Sequence, residues 1–344
     1  MIWHCGRSGH MIPTNVDALL MKLFRHTDDL PADVTGAVVA WGNFDGFHKG
    51  HQEVFRQTAA IADDMQAPLA ALTTEPHPRE FFAPDAPAFR LMSLRNKAHT
   101  LETFGVDALF VLTFDQDLAS MAADAFVRDL LVGRLGIRHV VTGYDQRFGQ
   151  GRTGDTDLLV RLGQDLGFGV TIVDPVQHDD HAYSSTQVRT CLREGHPADA
   201  ADLMGHWWQV EGRVEQGDQR GRTIGFPTAN VAWDGYLEPM LGVYAIRATV
   251  EDGPHQGTYE GVANLGMRPT FDKDALCFEV HLFDFAGDIY GSHMAVDMVS
   301  FIRPETKFDG LDALKAQIAE DCDTARAHLA RPEGAADRFP PVRR

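Results

Sequence analysis

One stretch of the chain decides how its first half folds: Gly42-Asn43-Phe44-Asp45-Gly46-Phe47-His48-Lys49-Gly50-His51. It follows an apolar run and precedes a helical pattern, so the predicted order is strand, glycine-bounded turn, helix. Such a turn directs backbone N–H groups and the positive end of a helix at one point, where an anion is stabilised. His48 and His51, three residues apart, share a helix face and reach the same point. The stretch therefore predicts a phosphate site with two imidazole donors.

Two other interpretations of the histidine pair stay open from the residues alone. The pair can be half of a metal site, or two surface imidazoles without a function. A zinc pair on a helix is more often spaced i, i+4 and needs a third ligand, and spacing alone identifies none. The glycine turn after an apolar strand favours the phosphate interpretation.

Composition limits the classes of partner. At 344 residues the chain is too long for one ordinary core and predicts two domains. The net charge of −18 argues against a long nucleic acid as partner, because each phosphate contact needs a Lys or Arg, but leaves room for a nucleotide. Four scattered cysteines favour a reducing cytoplasm. The sequence contains no run of about 18 apolar residues, so it predicts no membrane span. No obligate protein partner is evident from it.

Strand and helix patterns alternate between residues 36 and 176, which predicts parallel βαβ units with ligands at the carboxyl ends of the strands. The predicted strands are 37–41, 69–73, 108–113, 139–142 and 170–173. The predicted helices are 50–64, 91–104, 120–135 and 155–166. The histidine turn follows the first strand, Glu75-Pro76-His77-Pro78 the second and Gly143-Tyr144-Asp145 the fourth.

The pattern changes near residue 205, where alternating polar and apolar residues with Gly and Pro turns predict an antiparallel barrel or sandwich. The predicted strands are 208–215, 242–250, 258–264, 276–285 and 294–302. Within the fourth of these, period two places Phe278, Val280 and Leu282 on one face and Glu279 and His281 on the other. A final helix follows Asp309, and its predicted apolar side is Leu311, Leu314, Ile318 and Cys322.

A glycine-rich stretch at 149–154 fits the GxGxxG fingerprint of dinucleotide-binding proteins, and Asp174 follows about twenty residues later. In that fingerprint the first glycine ends the strand directly, whereas here Tyr144 to Phe148 intervene. A loop that contacts substrate is therefore favoured over a nicotinamide site.

The stretch Ser184-Ser185-Thr186-Gln187-Val188-Arg189 most simply predicts a helix N-cap, in which a hydroxyl accepts from backbone N–H groups. Taken together with the histidine turn, it predicts a second phosphate clamp. Hydroxyl groups and the Arg189 guanidinium then close on a triphosphate.

The stretch 221–230, GRTIGFPTAN, is rich in glycine and hydroxyl groups just after a predicted strand. It is either a long hairpin loop or a backbone cradle for phosphates, in which Thr228 and Asn230 offer neutral oxygens to Mg²⁺. Glu279 has the chemistry of a general base for a hydroxyl nucleophile, although a lone strand glutamate is more often only solvated.

Together these motifs resemble the bifunctional prokaryotic riboflavin kinase/FAD synthetase family, in collinear order from about residue 21 to 329. The stretch 42–51 resembles the family's GxFDGxHxGH adenylyltransferase signature, which EPHP at 75–78, the loop 147–155 and SSTxxR at 184–189 complete. The stretches 221–230, 261–271 and 278–281 resemble the kinase domain.

The resemblance implies a Rossmann-like α/β nucleotidyltransferase domain with a parallel sheet at 21–203. It implies a six-stranded antiparallel riboflavin kinase barrel with a terminal helix at 204–330. Residues 1–20 are then an extension of uncertain relevance and 331–344 a tail. By this resemblance, the barrel is expected to phosphorylate riboflavin with Mg²⁺ and ATP to give FMN. The first domain is expected to join FMN to the adenylyl group of a second ATP, which gives FAD and pyrophosphate.

The resemblance also assigns site residues. Catalytic roles fall to His48, His51, Arg189 and Glu279, flavin contact to Asn264 and Arg268, and the metal to Thr228 and Asn230. Nucleotide and phosphate binding fall to Gly42, Asn43, Phe44, Asp45, Gly46, Asp145, Arg147, Ser184, Ser185, Thr186, Gly221, Arg222, Gly225 and Pro227.

Two positions depart from the family pattern: Thr74 stands where an aromatic residue usually precedes EPHP, and Gln146 interrupts an aromatic position beside the RFG loop. Three rival hypotheses therefore stay open. The departures have silenced the adenylyltransferase, or catalysis has lapsed and the protein binds or senses flavin, or the GxGxxG stretch serves a nicotinamide oxidoreductase.

Overall fold

The structure is a computed structural model that describes residues 21–178, 181–216, 221, 224–269, 274–331 and 334. The predicted extension 1–20, nearly all of the predicted tail 331–344 and the predicted phosphate ligand Arg222 lie outside these residues. Of Arg268 only the backbone is described.

The first half of the chain forms a six-stranded parallel sheet. Its strands are β1 (Lys22–Phe24), β2 (Val38–Trp41), β3 (Leu69–Glu75), β4 (Ala108–Thr113), β5 (His139–Gly143) and β6 (Gly169–Val173). They lie in the order β1-β4-β3-β2-β5-β6, so β2 lies between β3 and β5. The turns that follow these three strands therefore meet at one edge of the sheet. The five predicted strands and the parallel sheet are confirmed.

Helices connect and flank these strands. They are α1 (Lys49–Asp64), α2 (Pro78–Phe82), α3 (Leu94–Thr103), α4 (Gln116–Ser120), α5 (Ala123–Ala125), α6 (Thr156–Leu166), α7 (Ser185–Arg193) and α8 (Pro197–Met204), with a π-helical segment at Phe126–Arg134 and a 3-10 turn at Gln150–Arg152. A small two-stranded sheet, β7 (Gln177–His178) with β8 (His181–Ala182), precedes α7.

Two predicted helices have different bounds. The helix predicted at 91–104 begins at residue 94, because the Leu91 and Met92 amides donate to Asp45 and the Ser93 hydroxyl caps the helix by accepting from Asn96 N–H. The continuous helix predicted at 120–135 is wrong. Met121 adopts an extended conformation after α4, and a short α-helix and the π-helical segment follow it.

The second half closes into an antiparallel barrel in the order β10-β13-β12-β11-β14-β9. These strands are β9 (Trp208–Glu215), β10 (Ala229–Val231), β11 (Gly242–Val250), β12 (Gly257–Pro269), β13 (Asp274–Leu282) and β14 (His293–Pro304). Phe278, Val280 and Leu282 are buried, as the period-two pattern predicts. The sequence does not predict strand β10, because two of its three residues lie inside the stretch interpreted as a loop or cradle.

The terminal helix α9 (Leu311–Leu329) packs on β11, β12 and β14. Cys322, Ala325 and Leu329 form its buried side. The predicted place of Leu311 on that side is wrong, since Leu311 is 53% exposed. Leu314 and Ile318 are half-buried and line a cleft, and Ile318 also packs against the buried side of the helix, as predicted.

The two halves share one apolar core. Its largest cluster joins Phe44 and Phe55 of the first half to Trp208, Tyr244 and Phe278 of the barrel. Burial on this scale opposes separation of the two halves, because each would expose apolar surface to water. In the described part of the chain, no helix has the length and apolar character needed to cross a membrane.

Candidate active sites

A cleft of about 860 Å³ opens at the carboxyl ends of β2, β3 and β5. It brings together nearly all the site residues predicted for the first half. Those that line it are Gly42, Asn43, Phe44, Asp45, His48, His51, Asp145, Arg147, Ser184, Ser185, Thr186 and Arg189. Gly46 lies behind it: its φ is +79°, and an added Cβ would come within 2.5 Å of Leu91 Cδ1. Glycine is required at this position by backbone conformation and by packing.

The two histidines lie face to face in this cleft, with ring centroids 3.7 Å apart and planes inclined by 23°. His48 caps α1, and its Nδ1 accepts from His51 N–H at 3.4 Å. This contact places the ring proton of neutral His48 on Nε2. His51 Nδ1 is buried and has no hydrogen-bond partner among the described residues. The pair is therefore built into the turn, as predicted.

Burial keeps both imidazoles neutral. Desolvation, followed by the positive charge of Arg189 and by His206, lowers the pKa of His48 to about 3. Desolvation and then His48, Lys97 and Arg189 lower the pKa of His51 well below its ordinary value. At neutral pH each ring can therefore act on a phosphate as an N–H donor without a full positive charge.

Arg189 is held by a buried ion pair. Its Nη2 donates to Asp45 Oδ2 at 2.5 Å and its Nε donates to the Phe89 carbonyl at 2.8 Å. Asp45 also accepts from the amides of Leu91 and Met92. The side chains of Asp45 and Arg189 are only 4% and 12% exposed. This pair joins the two phosphate motifs, which are far apart in sequence, into one site.

The hydroxyl stretch before α7 forms the predicted helix cap and lines the cleft, and its contact with a triphosphate stays a prediction. Ser184 caps the helix, since its Oγ accepts from Gln187 N–H at 3.3 Å. Ser184, Ser185 and Thr186 also line the cleft, and Ser185 Oγ donates to the Asp45 carbonyl at 2.8 Å. A helix N-terminus here faces the histidine turn, an arrangement that stabilises an anion.

A network of charges lies beneath the cleft, and of its members only Glu75 belongs to a motif singled out in the sequence, EPHP at 75–78. Arg90 donates to both oxygens of Glu75 and to both oxygens of Glu80. Lys97, only 2% exposed, lies 3.4 Å from Glu75 Oε1. Burial lowers the pKa of Lys97, and Glu75 and Asp45 oppose that shift. Lys97 belongs to an ordinary amphipathic helix, so only the fold reveals it.

The GxGxxG loop does not have the geometry of a dinucleotide fingerprint. Strand β5 ends at Gly143, and Phe148 pairs with Gly154 before α6 begins. Gly149 has a φ of +70°, and an added Cβ would lie 2.5 Å from Ala123 Cα. Gly149 therefore allows close packing of the loop against Ala123, and Gly149, Gly151 and Arg152 of the loop line the cleft.

A second cleft of about 440 Å³ lies between the barrel and α9. Gly221, Thr228, Asn230, Asn264 and Glu279 line it, as predicted for the second half. Asn230 pairs in register with Glu279, and Glu279 pairs with Asn264 on the other side. Because these residues lie opposite each other on β10, β13 and β12, their side chains share one face of the barrel.

The loop before β10 supports this cleft from behind. An added Cβ at Gly221 would lie 2.3 Å from the Phe226 carbonyl oxygen, so a larger residue does not fit. Gly225 has a φ of +93°. The Pro227 carbonyl lies 2.7 Å from His281 Nδ1. Gly225 and Pro227 shape the loop and do not line the cleft, and their contact with phosphate stays a prediction.

Further residues of the second cleft were not predicted. Arg303 forms two hydrogen bonds with Asp321, at 2.8 and 2.7 Å, which join β14 to α9. Cys277 Sγ lies 3.5 Å from Asn230 Oδ1 and 3.6 Å from Glu279 Oε1. Their signal in the sequence is weak, because an arginine before a proline and an isolated cysteine are common in any chain.

The donor sets differ between the two clefts. Among residues 21–331, apart from the undescribed gaps, no group of three His, Cys, Asp or Glu side chains could hold a metal ion. A zinc site at His48 and His51 thus finds no third ligand in the described chain. Thr228, Asn230 and Glu279 offer oxygen atoms, which suit a hard cation that keeps several waters.

Comparison with known proteins identifies the family. The profile of FAD synthetase matches residues 30–187, and the profile of riboflavin kinase matches residues 204–329. The bifunctional riboflavin kinase/FMN adenylyltransferase of Escherichia coli K12 is 41% identical over 89% of this chain and 97% of its own length. The chain belongs to this family. The protein of the same description from Bacillus subtilis 168 is 36% identical over 83% of this chain and 90% of its own length.

A solved structure also shares the family's architecture. It is described as a macrolide-efflux protein from Streptococcus pneumoniae, is 31% identical and superposes with a TM-score of 0.77. The match covers 89% of this chain and 99% of that one. That description applies to the pneumococcal protein, and the likeness shows that both chains have the sheet domain and the barrel.

Proposed function

We propose that this chain carries out both reactions named for its relatives: ATP-dependent phosphorylation of riboflavin in the barrel, and adenylylation of FMN in the sheet domain. The main support is that two separate clefts each contain the residues that one of the two reactions needs. Riboflavin, FMN and ATP are then the substrates, and the domain boundary lies near residue 204.

In the barrel, Glu279 is the proposed general base. The 5′-hydroxyl of riboflavin attacks the γ-phosphorus of ATP, its proton passes to the Glu279 carboxylate, and the bond to ADP breaks. Asn264, beside Glu279 in register, is proposed to contact the flavin, together with Arg268. The glycine-rich loop that contains Gly221 is proposed to hold the phosphates.

The oxygen donors of the barrel cleft fit Mg²⁺. Thr228 and Asn230 are the residues proposed to hold it, with neutral oxygens that leave room for waters and phosphate oxygens. When bound, the ion neutralises charge on the transferred phosphoryl group. Asn230 lines the cleft on the strand next to Glu279, so the proposed base and the proposed metal ligand lie side by side.

In the sheet domain no side chain needs to act as nucleophile. An oxygen of the FMN phosphate attacks the α-phosphorus of ATP, and pyrophosphate leaves. His48 and His51 are proposed to donate N–H groups to the reacting phosphate, and Arg189 supplies a positive charge fixed by Asp45. Ser184 and Thr186 add hydroxyl and amide donors at the start of α7.

Product analysis over time, starting from riboflavin and Mg·ATP, tests the proposal. We expect FMN to appear first and FAD with pyrophosphate to follow. Absence of any ATP turnover would favour a flavin-binding protein. Titration with NAD tests the oxidoreductase hypothesis directly, and we expect no binding.

A kinase that stops at FMN is the second candidate, because both departures from the family pattern lie in the first cleft. Thr74 and Gln146 line it, and Thr74 Oγ1 donates to Asn43 Oδ1 at 3.4 Å. A time course that ends at FMN, with added FMN and ATP also unreactive, selects this candidate.

A further inference from the structure

A segment at 89–96, here called the connecting segment, runs between the first cleft and the barrel. It follows α2 and leads into α3, and it contains no regular structure before residue 94. Leu91 is fully buried, and Met92 is nearly so. This part of the segment therefore lies inside the molecule, where each backbone polar group needs a protein partner.

On one side the connecting segment holds the charged groups of the first cleft. The Leu91 amide donates to Asp45 Oδ1 at 2.9 Å, and the Met92 amide donates to the same oxygen at 3.1 Å. The Phe89 carbonyl accepts from Arg189 Nε at 2.8 Å. The position of the Asp45–Arg189 pair therefore depends on the backbone of this segment.

On its other side the same segment is held by the barrel. Trp208 Nε1 donates to the Leu91 carbonyl at 2.9 Å. Glu211 accepts from the Ser93 hydroxyl and, at 2.9 Å, from Arg95 Nη1. Trp208 is 1% exposed and Glu211 is 8% exposed. Water cannot easily replace these partners, because the groups are buried.

We propose that Trp208 and Glu211, which belong to the kinase barrel, are positioning residues of the adenylyltransferase site. The indole N–H fixes the Leu91 carbonyl, the amide of the same residue fixes Asp45, and Asp45 fixes the Arg189 guanidinium. This inference rests on the adenylyl-transfer function proposed for the first cleft. It extends that function by giving the barrel a part in the other domain's reaction.

The test compares the conservative variant Trp208→Phe with Trp207→Phe. Phenylalanine keeps the aromatic packing and removes the N–H donor. Trp207 is a matched control, since it is also buried but packs in a different cluster, with Cys322 and Ala325 of α9. For Trp208→Phe we expect kcat for FAD formation from FMN to fall about three- to tenfold, the effect of one lost hydrogen bond.

Three further readouts distinguish positioning from general destabilisation. In Trp208→Phe, KM for FMN should change less than kcat, and riboflavin phosphorylation should keep its wild-type rate. The Leu91 and Met92 amides should exchange with solvent about tenfold faster than in wild type. In Trp207→Phe, FAD formation and the exchange of these two amides should be unchanged.

Glu211→Gln is the second variant, for use if Trp208→Phe does not fold. It keeps the size of the side chain, weakens its contacts with Ser93 and Arg95, and should slow FAD formation about two- to fivefold. Unchanged FAD formation in a folded variant at either position overturns the proposal. An equal loss of kinase activity overturns it as well.

If the proposed adenylyl-transfer function is wrong, the result differs from the one that overturns the inference. In that case the wild-type protein makes no FAD from FMN and ATP. Amide exchange then still decides the inference: unchanged protection of Leu91 and Met92 in Trp208→Phe refutes it, and faster exchange supports the connection from Trp208 to Asp45.

Discussion

The substitution Asp45→Asn tests the ion pair on which the first cleft depends. Asparagine has nearly the same shape and can still accept from the Leu91 and Met92 amides through its oxygen. Its NH₂ group would then face Arg189 Nη2, which lies 2.5 Å from the Asp45 oxygen, so two donors would meet. The guanidinium loses its buried counterion and must move or become solvated.

The magnitude follows from burial. Removing one partner of a buried ion pair costs about 3–5 kcal/mol, and the retained amide contacts reduce this, so we expect a loss of about 3 kcal/mol in the free energy of unfolding. A displaced Arg189 no longer stabilises the reacting phosphate, and a misplacement of about 1 Å costs about 10²-fold in rate. FAD formation from FMN should fall by about that factor.

Urea unfolding measures the stability of Asp45→Asn, and FAD formation from FMN and ATP measures its activity. Asp155→Asn is the control, because Asp155 pairs with Arg147 at 3.3 Å on the surface, with side chains 39% and 48% exposed. Exposed pairs contribute little to stability because solvent screens them, so the control should stay close to wild type in stability. Equal stability losses in the two variants, or full adenylylation activity in Asp45→Asn, would refute the reasoning.

Three further predictions concern single residues. His51→Ala should slow FAD formation about 10²–10³-fold while riboflavin phosphorylation survives. Glu279→Ala should slow riboflavin phosphorylation while FAD formation from FMN survives. Loss of both activities in a folded single variant contradicts the assignment of the two sites. The pKa of His48 is about 3 in the folded protein and 6.5 in the unfolded chain. Between pH 6.5 and about 3, His48 alone should therefore lower the free energy of unfolding by up to about 1.4 kcal/mol per pH unit, and His48→Gln should reduce the measured slope by that share in denaturant titrations. Gly221→Ala should impair the kinase alone, because the new Cβ would meet the Phe226 carbonyl at 2.3 Å; wild-type kcat and KM for riboflavin would show that the loop adapts.

The sequence predicts the strands of the sheet well because each is a short apolar run between punctuating residues. It misses β1, which has three residues at the edge of the sheet, and two of these are exposed. It misplaces the start of α3, because the amides that could extend this helix donate to Asp45, which lies far away in sequence. Local propensity cannot anticipate a competing partner that only the fold brings close.

Some residues of the first cleft could likewise be predicted from the sequence, and others could not. His48, His51 and Arg189 lie in local motifs whose chemistry can be read from residue type and spacing. Lys97, which lies in no such motif, meets Glu75 across the fold, and yet its positive charge contributes to the low pKa of His51. The residues proposed to contact phosphate could therefore be identified from the sequence, but the charges that set their protonation could not.

In the barrel cleft, the sequence could predict the site residues but not how the strands arrange them. Asn230, Glu279 and Asn264 become neighbours only because β10 pairs with β13, and β13 with β12, in one particular register. A slip of one residue would turn Asn230 to the opposite face and separate the proposed metal ligand from the proposed base. Strand β10 has only three residues, so its own pattern cannot fix that register. The register is fixed instead by tertiary packing, because Ala229 pairs with Val280 and Val231 with Phe278 in the core that both domains share.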